Sequence, residues 1–170
     1  MQSYVVLLRA VNVTGTGAIA MTDLKALCEA AGGTQVRTYI ASGNVVLASA
    51  VACAALQAEI MRRLETLMGK PIGVIMLTRD QLAQALAGSP YGEMDPARTV
   101  ICFLDAAPAA DALEHLRHHE DELVCLGERE IHIHYPKGQG QSRLQIPAAK
   151  AGTARNLNTV RKLLQMATEL

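Results

Sequence analysis

The same order of elements can be read twice along this 170-residue chain, and that repetition limits its folds more than any single motif does. Residues 4–8, Tyr-Val-Val-Leu-Leu, form a short run of branched apolar residues and read as a strand. Thr22 is placed to cap a helix over 23–31 carrying Leu24, Leu27 and Cys28, which Gly32-Gly33 ends. Residues 35–40 and 45–47 flank the turn Ala41-Ser-Gly-Asn44 and predict a hairpin. A helix over 52–68 follows, with Leu56, Ile60, Leu64 and Leu67 on one stripe, and then a strand at 73–77.

After a linking helix at 80–87 and the breaker segment 88–96 the pattern returns. Residues 100–104 read as a strand, 109–119 as a helix carrying Leu113 and Leu116, and 122–126 with 131–135 as a second hairpin around Gly127-Glu128. A helix over 154–167 closes the chain, its buried stripe Leu157, Val160, Leu164 and Ala167. The fold class expected is α+β: two tandem ferredoxin-like (split βαβ) repeats packed together, the second incomplete because its last strand is missing. Residues 1–90 would hold the first βαββαβ repeat with the linking helix, and 91–170 the second, βαββα, with a basic C-terminal helix. Strands at 4–8, 74–77 and 100–104 are apolar on both faces, which predicts that both faces are covered.

Charge is segregated. The chain carries 16 Lys+Arg and 16 Asp+Glu, and this zero net charge argues against a dedicated nucleic-acid coat. Residues 80–130 nevertheless hold three basic and eleven acidic groups, and 131–168 hold six basic groups and no acid. Ordinary surfaces intersperse signs. Two explanations stand open: the basic segment docks on the acidic one, or it binds an external anion. With four Tyr, one Phe and no Trp, little is available for base stacking. No apolar run is long enough to span a membrane, and Met1-Gln-Ser3 lacks a basic signal start, so a cytoplasmic protein with no membrane partner is expected.

Several patterns are weighed and set aside. Gly15-x-Gly17-x-x-Ala20 matches the dinucleotide fingerprint formally, but no helix starts at its glycines and no acid lies in 34–44 to hold a ribose, so no cofactor is expected. His115 with His119, and His132 with His134, have admissible metal-ligand spacing but no accompanying HExxH or carboxylate pattern, and no metal is expected. Cys28, Cys53, Cys102 and Cys125 form no CxxC pair and read as reduced thiols.

The candidate ligand-binding residues are polar choices that burial does not demand. Lys137-Gly-Gln-Gly-Gln-Ser-Arg143 combines glycines, whose N–H groups can converge on an anion, with Lys137 and Arg143. Thr153 is read as the cap of the last helix, which sets Arg155, Asn156 and Asn158 at its positive end. Arg9 and Asn12 close the first strand and Arg37 begins the second. Taking those two strands as antiparallel puts Arg9, Asn12 and Arg37 at one edge, and a second candidate site, Ser42, Gly43 and Asn44, at the opposite one.

Three segments carry a resemblance: Tyr4-x-x-Leu-Leu-Arg-x-Val-Asn-Val13, Val36-Arg-Thr-Tyr-Ile-x-Ser-Gly-Asn-Val45 and Thr153-Ala-Arg-Asn-x-Asn-Thr-Val160. Together they resemble domain-of-unknown-function family 1697 over nearly the whole chain. The resemblance implies a two-repeat ferredoxin-like fold in a bacterial cytoplasmic protein and carries no established activity. The family's recurrent polar positions fall on Arg9, Asn12, Arg37, Thr38, Tyr39, Ser42, Gly43, Asn44, Arg155, Asn156 and Asn158. This chain departs from it with Ala10 in place of a usual Gly, Leu157 in place of an aromatic, and a short 147–152 segment. Residues and resemblance together lead to a binding module for an anionic, phosphate-bearing ligand, a small molecule, nucleotide or nucleic-acid end. An enzyme acting on a phosphorylated small molecule and a ligand-free protein-partner module are the alternatives, and oligomeric state stays open.

Overall fold

A computed structural model describes residues 1–12 and 17–170, in two compact units: Met1–Leu82 with Leu163–Leu170, and Ala83–Lys162. The fold is α+β. Among the described residues it has two four-stranded antiparallel sheets and four α-helices, none long and apolar enough to cross a membrane.

The first sheet contains β1 (Gln2–Leu8), β2 (Thr34–Tyr39), β3 (Asn44–Ser49) and β4 (Val74–Thr78) in the order β2-β3-β1-β4. Helices α1 (Met21–Ala30) and α2 (Cys53–Met68) make the crossings. Leu24, Leu27 and Cys28 of α1, with Leu56, Ile60 and Leu64 of α2, pack on Tyr4, Val6, Leu8, Val45, Leu47, Val74 and Met76 of the sheet. Each such side chain contributes about 1.5–3 kcal/mol when fully buried. The alternate strand residues Val5, Leu7, Val46, Ile75 and Leu77 are buried as well, which is why these strands read as continuous apolar runs.

β1 and β4 are both paired antiparallel to their neighbours, and so are β2 and β3. Because β3 lies antiparallel to β1 and to β2, those two run parallel, against the antiparallel expectation. The α1 crossing returns the chain to the end of the sheet where it started, and only the hairpin reverses it. The turn Ser42-Gly43-Asn44 therefore lies at the same end as Arg9 and Asn12, with Leu7 opposite Asn44 in the register.

In the second unit β5 (Thr99–Phe103), β6 (Leu123–Leu126), β7 (Glu130–His134) and β8 (Thr153–Asn156) form a sheet in the order β6-β7-β5-β8. The expected missing strand is present: β8 pairs with β5, Thr153 opposite Phe103 and Asn156 opposite Val100. The residues assigned to the start of the last helix are thus a strand. Helix α4 spans Leu157–Thr168, and Asn156, not Thr153, caps it: its Oδ1 accepts the Thr159 N–H at 3.0 Å. Leu163 and Met166 are buried on α4, whereas Leu164 is only partly so. The remaining helix, α3 (Arg79–Ala87), matches the linking helix of the sequence reading.

The helix expected at 109–119 is one 3-10 turn, Ala112–His115. Arg117 leaves helical conformation to exchange two backbone hydrogen bonds with Gln145, at 3.0 and 2.9 Å, and His118 takes φ 55°. With Leu113 and Leu116 as the larger apolar anchors, the segment lacks the stripe that would hold a longer helix. Between β7 and β8 no helix forms either. Leu144, Ile146, Ala148 and Ala149, partly in 3-10 turns, pack instead against Val100, Cys102, Leu104, Ile131, Ile133 and Tyr135.

Candidate functional site

At the end of the first sheet, β1 stops where its neighbours turn. Leu8 N–H donates to Gly43 O at 2.8 Å and Arg9 N–H to Gly73 O at 2.9 Å. Asn12 then ties three pieces of chain together: its Oδ1 accepts Ile19 N–H at 2.8 Å, and its Nδ2 donates to Ile19 O at 3.0 Å and Ala41 O at 2.7 Å. Asn44, fully buried, donates to Tyr39 O and Ser42 Oγ, each at 2.9 Å. Asn12, Ser42 and Asn44 hold the backbone here through these bonds.

That backbone is strained. Ala10 (φ 53°), Asn12 (φ 54°) and Ile40 (φ 49°) all occupy the left-handed region, where a side chain other than Gly or Asn costs on the order of 1–2 kcal/mol. Glycine takes the left-handed φ of Ala10 without this cost. Gly43 (φ 88°) faces a second constraint: a Cβ there would sit 2.8 Å from Leu8 Cβ and Val11 Cγ2.

Beside this turn cluster lies a hollow of about 220 Å³ lined by Arg9, Ala10, Lys70, Pro71, Ile72 and Gly73. The Arg9 stem runs over Gly73, whose added Cβ would meet Arg9 Cβ at 3.2 Å and Cδ at 3.3 Å. Lys70, absent from the candidates read from the sequence, directly follows Gly69, the left-handed cap that stops α2. The sequence signal for it was the Gly69-Lys-Pro71 helix stop before a strand. Arg37 is not brought to the hollow. It stands mid-strand opposite Val46 and pairs with Glu169 at 2.8 Å, both side chains nearly half exposed, a geometry worth little in water.

The β8–α4 junction differs from the open helix end that the sequence suggested. Thr153 and Arg155 are buried, and Arg155 Nη1 donates to Thr153 Oγ1 at 2.6 Å and Ala154 O at 3.0 Å. Burial pulls the Arg155 guanidinium down to about 10, so it stays charged at neutral pH. Asn156 is spent on the cap, while Asn158 is exposed. In register, Arg155 and His132 flank Ile101 on one face of the sheet. His132 is buried with Nε2 3.4 Å from Glu130 Oε1 and Nδ1 unpartnered, and burial holds it below its ordinary value against the opposing effect of Glu130.

Lys137 and Arg143 are both exposed. Their loop lies against the acidic stretch: Lys137 Nζ is 3.6 Å from Asp121 Oδ2, and Ser142 Oγ donates to Glu122 Oε1 at 3.2 Å. The basic segment thus makes at least one link to the acidic one. Arg161 instead donates to Gly92 O at 2.8 Å. Among the described residues, no three His, Cys, Asp or Glu side chains converge as a metal site would need. No disulfide joins the four cysteines, Cys28 and Cys102 being buried and the other two partly so. Gly15 of the rejected glycine motif, like Val13 of the first resembling segment, lies outside the described residues.

No curated protein matches the chain. Among solved structures, it resembles a conserved bacterial protein from Streptococcus pneumoniae with a TM-score of 0.82, covering 98% of each chain at 23% identity, a likeness that shows the fold. The profile of a family described as protein of unknown function (DUF1697) matches residues 1–132, taking in the first two resembling segments but ending before the third, at 153–160. With that match extending over most of its length, the chain belongs to the DUF1697 family.

Proposed function

We propose that the protein is a binding module for an anionic, phosphate-bearing ligand, received at the end of the first sheet between Arg9 and Lys70. One observation carries this reading: two cations line one hollow beside a turn cluster that holds Ala10, Asn12 and Ile40 in left-handed backbone. Strain of this kind persists where surrounding structure over-determines it, and it clusters at ligand sites. A hollow of about 220 Å³ is smaller than the roughly 300–1,000 Å³ of sites that enclose whole drug-sized ligands, so it suits a phosphate group whose remainder lies outside. Arg9 supplies a forked donor set and Lys70 a mobile point charge.

Within the same reading, the two sheets are tandem ferredoxin-like repeats. Their shared strand order supports this, the second repeat replacing helices by 3-10 turns. In the second unit Lys137 and Arg143 contribute positive potential and Asn158 a hydrogen-bonding group, and the site of action is the bacterial cytoplasm.

The test is a thermal-shift screen over inorganic phosphate, nucleotides, sugar phosphates and short oligonucleotides, repeated in rising salt. A phosphate compound should raise the melting temperature, the shift should shrink with salt, and Arg9→Gln and Lys70→Gln should each remove it. A shift unchanged in both variants sinks the assignment. Turnover of the compound moves the reading to an enzyme on a phosphorylated small molecule. Silence throughout favours a protein-partner role.

A further inference from the structure

The second unit holds a larger hollow, about 580 Å³, lined by Arg117, Gln145, Ile146, Pro147, Ala149 and Lys150. This volume lies within the range of sites that enclose small organic ligands. Two of the lining side chains are cations, three are apolar, and none is acidic. The segment from Gln145 to Lys150 belongs to the stretch 131–168, which has no carboxylate at all.

The lining is also held in place. Arg117 is fixed by its two backbone hydrogen bonds with Gln145, and the chain leaves it through left-handed His118. On the other wall Ala149 N–H donates to Ile146 O at 3.0 Å and Lys150 N–H to Pro147 O at 3.2 Å. Ile146 and Ala149 are anchored from behind by packing on the core of the second sheet. Two chemistries therefore meet on a preset surface: a fork and an ammonium that favour an oxyanion, and an apolar wall that favours carbon.

We propose that this hollow is a binding site for a small amphipathic anion, a carboxylate or phosphate monoester on an apolar body. The head group takes Arg117 and Lys150, and the body lies on Ile146, Pro147 and Ala149. The site shares no residue with the hollow at Arg9 and does not depend on that reading. A purely inorganic anion leaves the apolar wall wet, and a neutral apolar molecule gains no charge interaction with Arg117 and Lys150. Neither satisfies the whole lining.

The experiment is amide-detected NMR on the full chain, titrated separately with octanoate, phenyl phosphate, 1-octanol and inorganic phosphate. Octanoate or phenyl phosphate should move the amides of Arg117, Gln145, Ile146, Ala149 and Lys150 in a saturable way, and which of the two binds tighter identifies the head group. The alcohol and inorganic phosphate should bind about tenfold more weakly or worse, and Arg117→Gln and Lys150→Gln should each weaken the amphipathic anion by about tenfold. Arg9→Gln should leave these shifts unchanged. The proposal fails if 1-octanol binds as well as octanoate, if neither variant weakens binding, or if the responding amides lie elsewhere or none responds.

Discussion

Arg155 is a charged residue whose side chain is used inward. Replacing it by Ala removes the bonds to Thr153 Oγ1 and Ala154 O and leaves space in a buried place, so the variant should lose about 3 kcal/mol in plain buffer by urea unfolding. Unchanged stability would mean the side chain matters only to a ligand. His132 makes a prediction in pH. Its proton affinity is lower folded than unfolded, so the unfolded chain takes up a proton first and stability falls as pH drops below 6.5. Glu59, held near 2 by Arg62 and Arg63, adds its own loss only below about 4.5. Between those values the melting temperature should fall, and His132→Gln should flatten the slope; an identical slope removes His132 as the cause. The sequence marked Arg155 as a site candidate but hid its surroundings. Thr153 and Arg155 point inward and Ala154 outward, a period-two pattern written in polar residues, to which an apolar-periodicity reading is blind.

The elements best read from the sequence were those whose packing is local and apolar. The helix stripes Leu24-Leu27-Cys28 and Leu56-Ile60-Leu64 and the hairpin at 41–44 all stand in the structure, while Leu67, read onto the second stripe, is exposed. The misread elements depended on distant backbone: β8 exists because β5 offers it a ladder, and the 3-10 turn at Ala112–His115 stays short because Arg117 finds Gln145. The candidate end of the first sheet was half legible, Arg9 and Asn12 being read as candidates but placed at the end opposite the turn, whose Ala41 O in fact accepts from Asn12. Gly43 tests how tightly that turn is fixed. Gly43→Ala combines a left-handed penalty with contact on Leu8 and Val11, and should cost about 2–4 kcal/mol in chemical unfolding. A loss below 1 kcal/mol would show that the turn yields.

Across the whole molecule, both sheets use the order 2-3-1-4 counted within each, although the second is covered on one face by irregular chain in place of helices. The element order of the first sheet was legible, whereas β8 of the second, which exists through its distant partner β5, was not. Leu163–Leu170 belong with Met1–Leu82, where Glu169 meets Arg37 and Thr168 Oγ1 accepts from Arg79 at 3.1 Å. A chain ending at Lys162 also loses buried Leu163 and Met166, at about 1.5–3 kcal/mol each. Hydrogen exchange should show β1–β4 amides losing protection in that chain, and full protection there would refute the grouping.

The split in the first unit has a consequence for the protein's birth on the ribosome. Its sheet is translated first, but its last eight residues emerge only after the eighty from Ala83 to Lys162, a wait of roughly 4–16 s at about 5–20 residues per second. During that interval the β1–β4 segment has the core from Tyr4 to Met76 but lacks the contacts of Leu163–Leu170. The second unit, continuous in sequence, is fully translated eight residues before the first, so the half that is begun first is finished last.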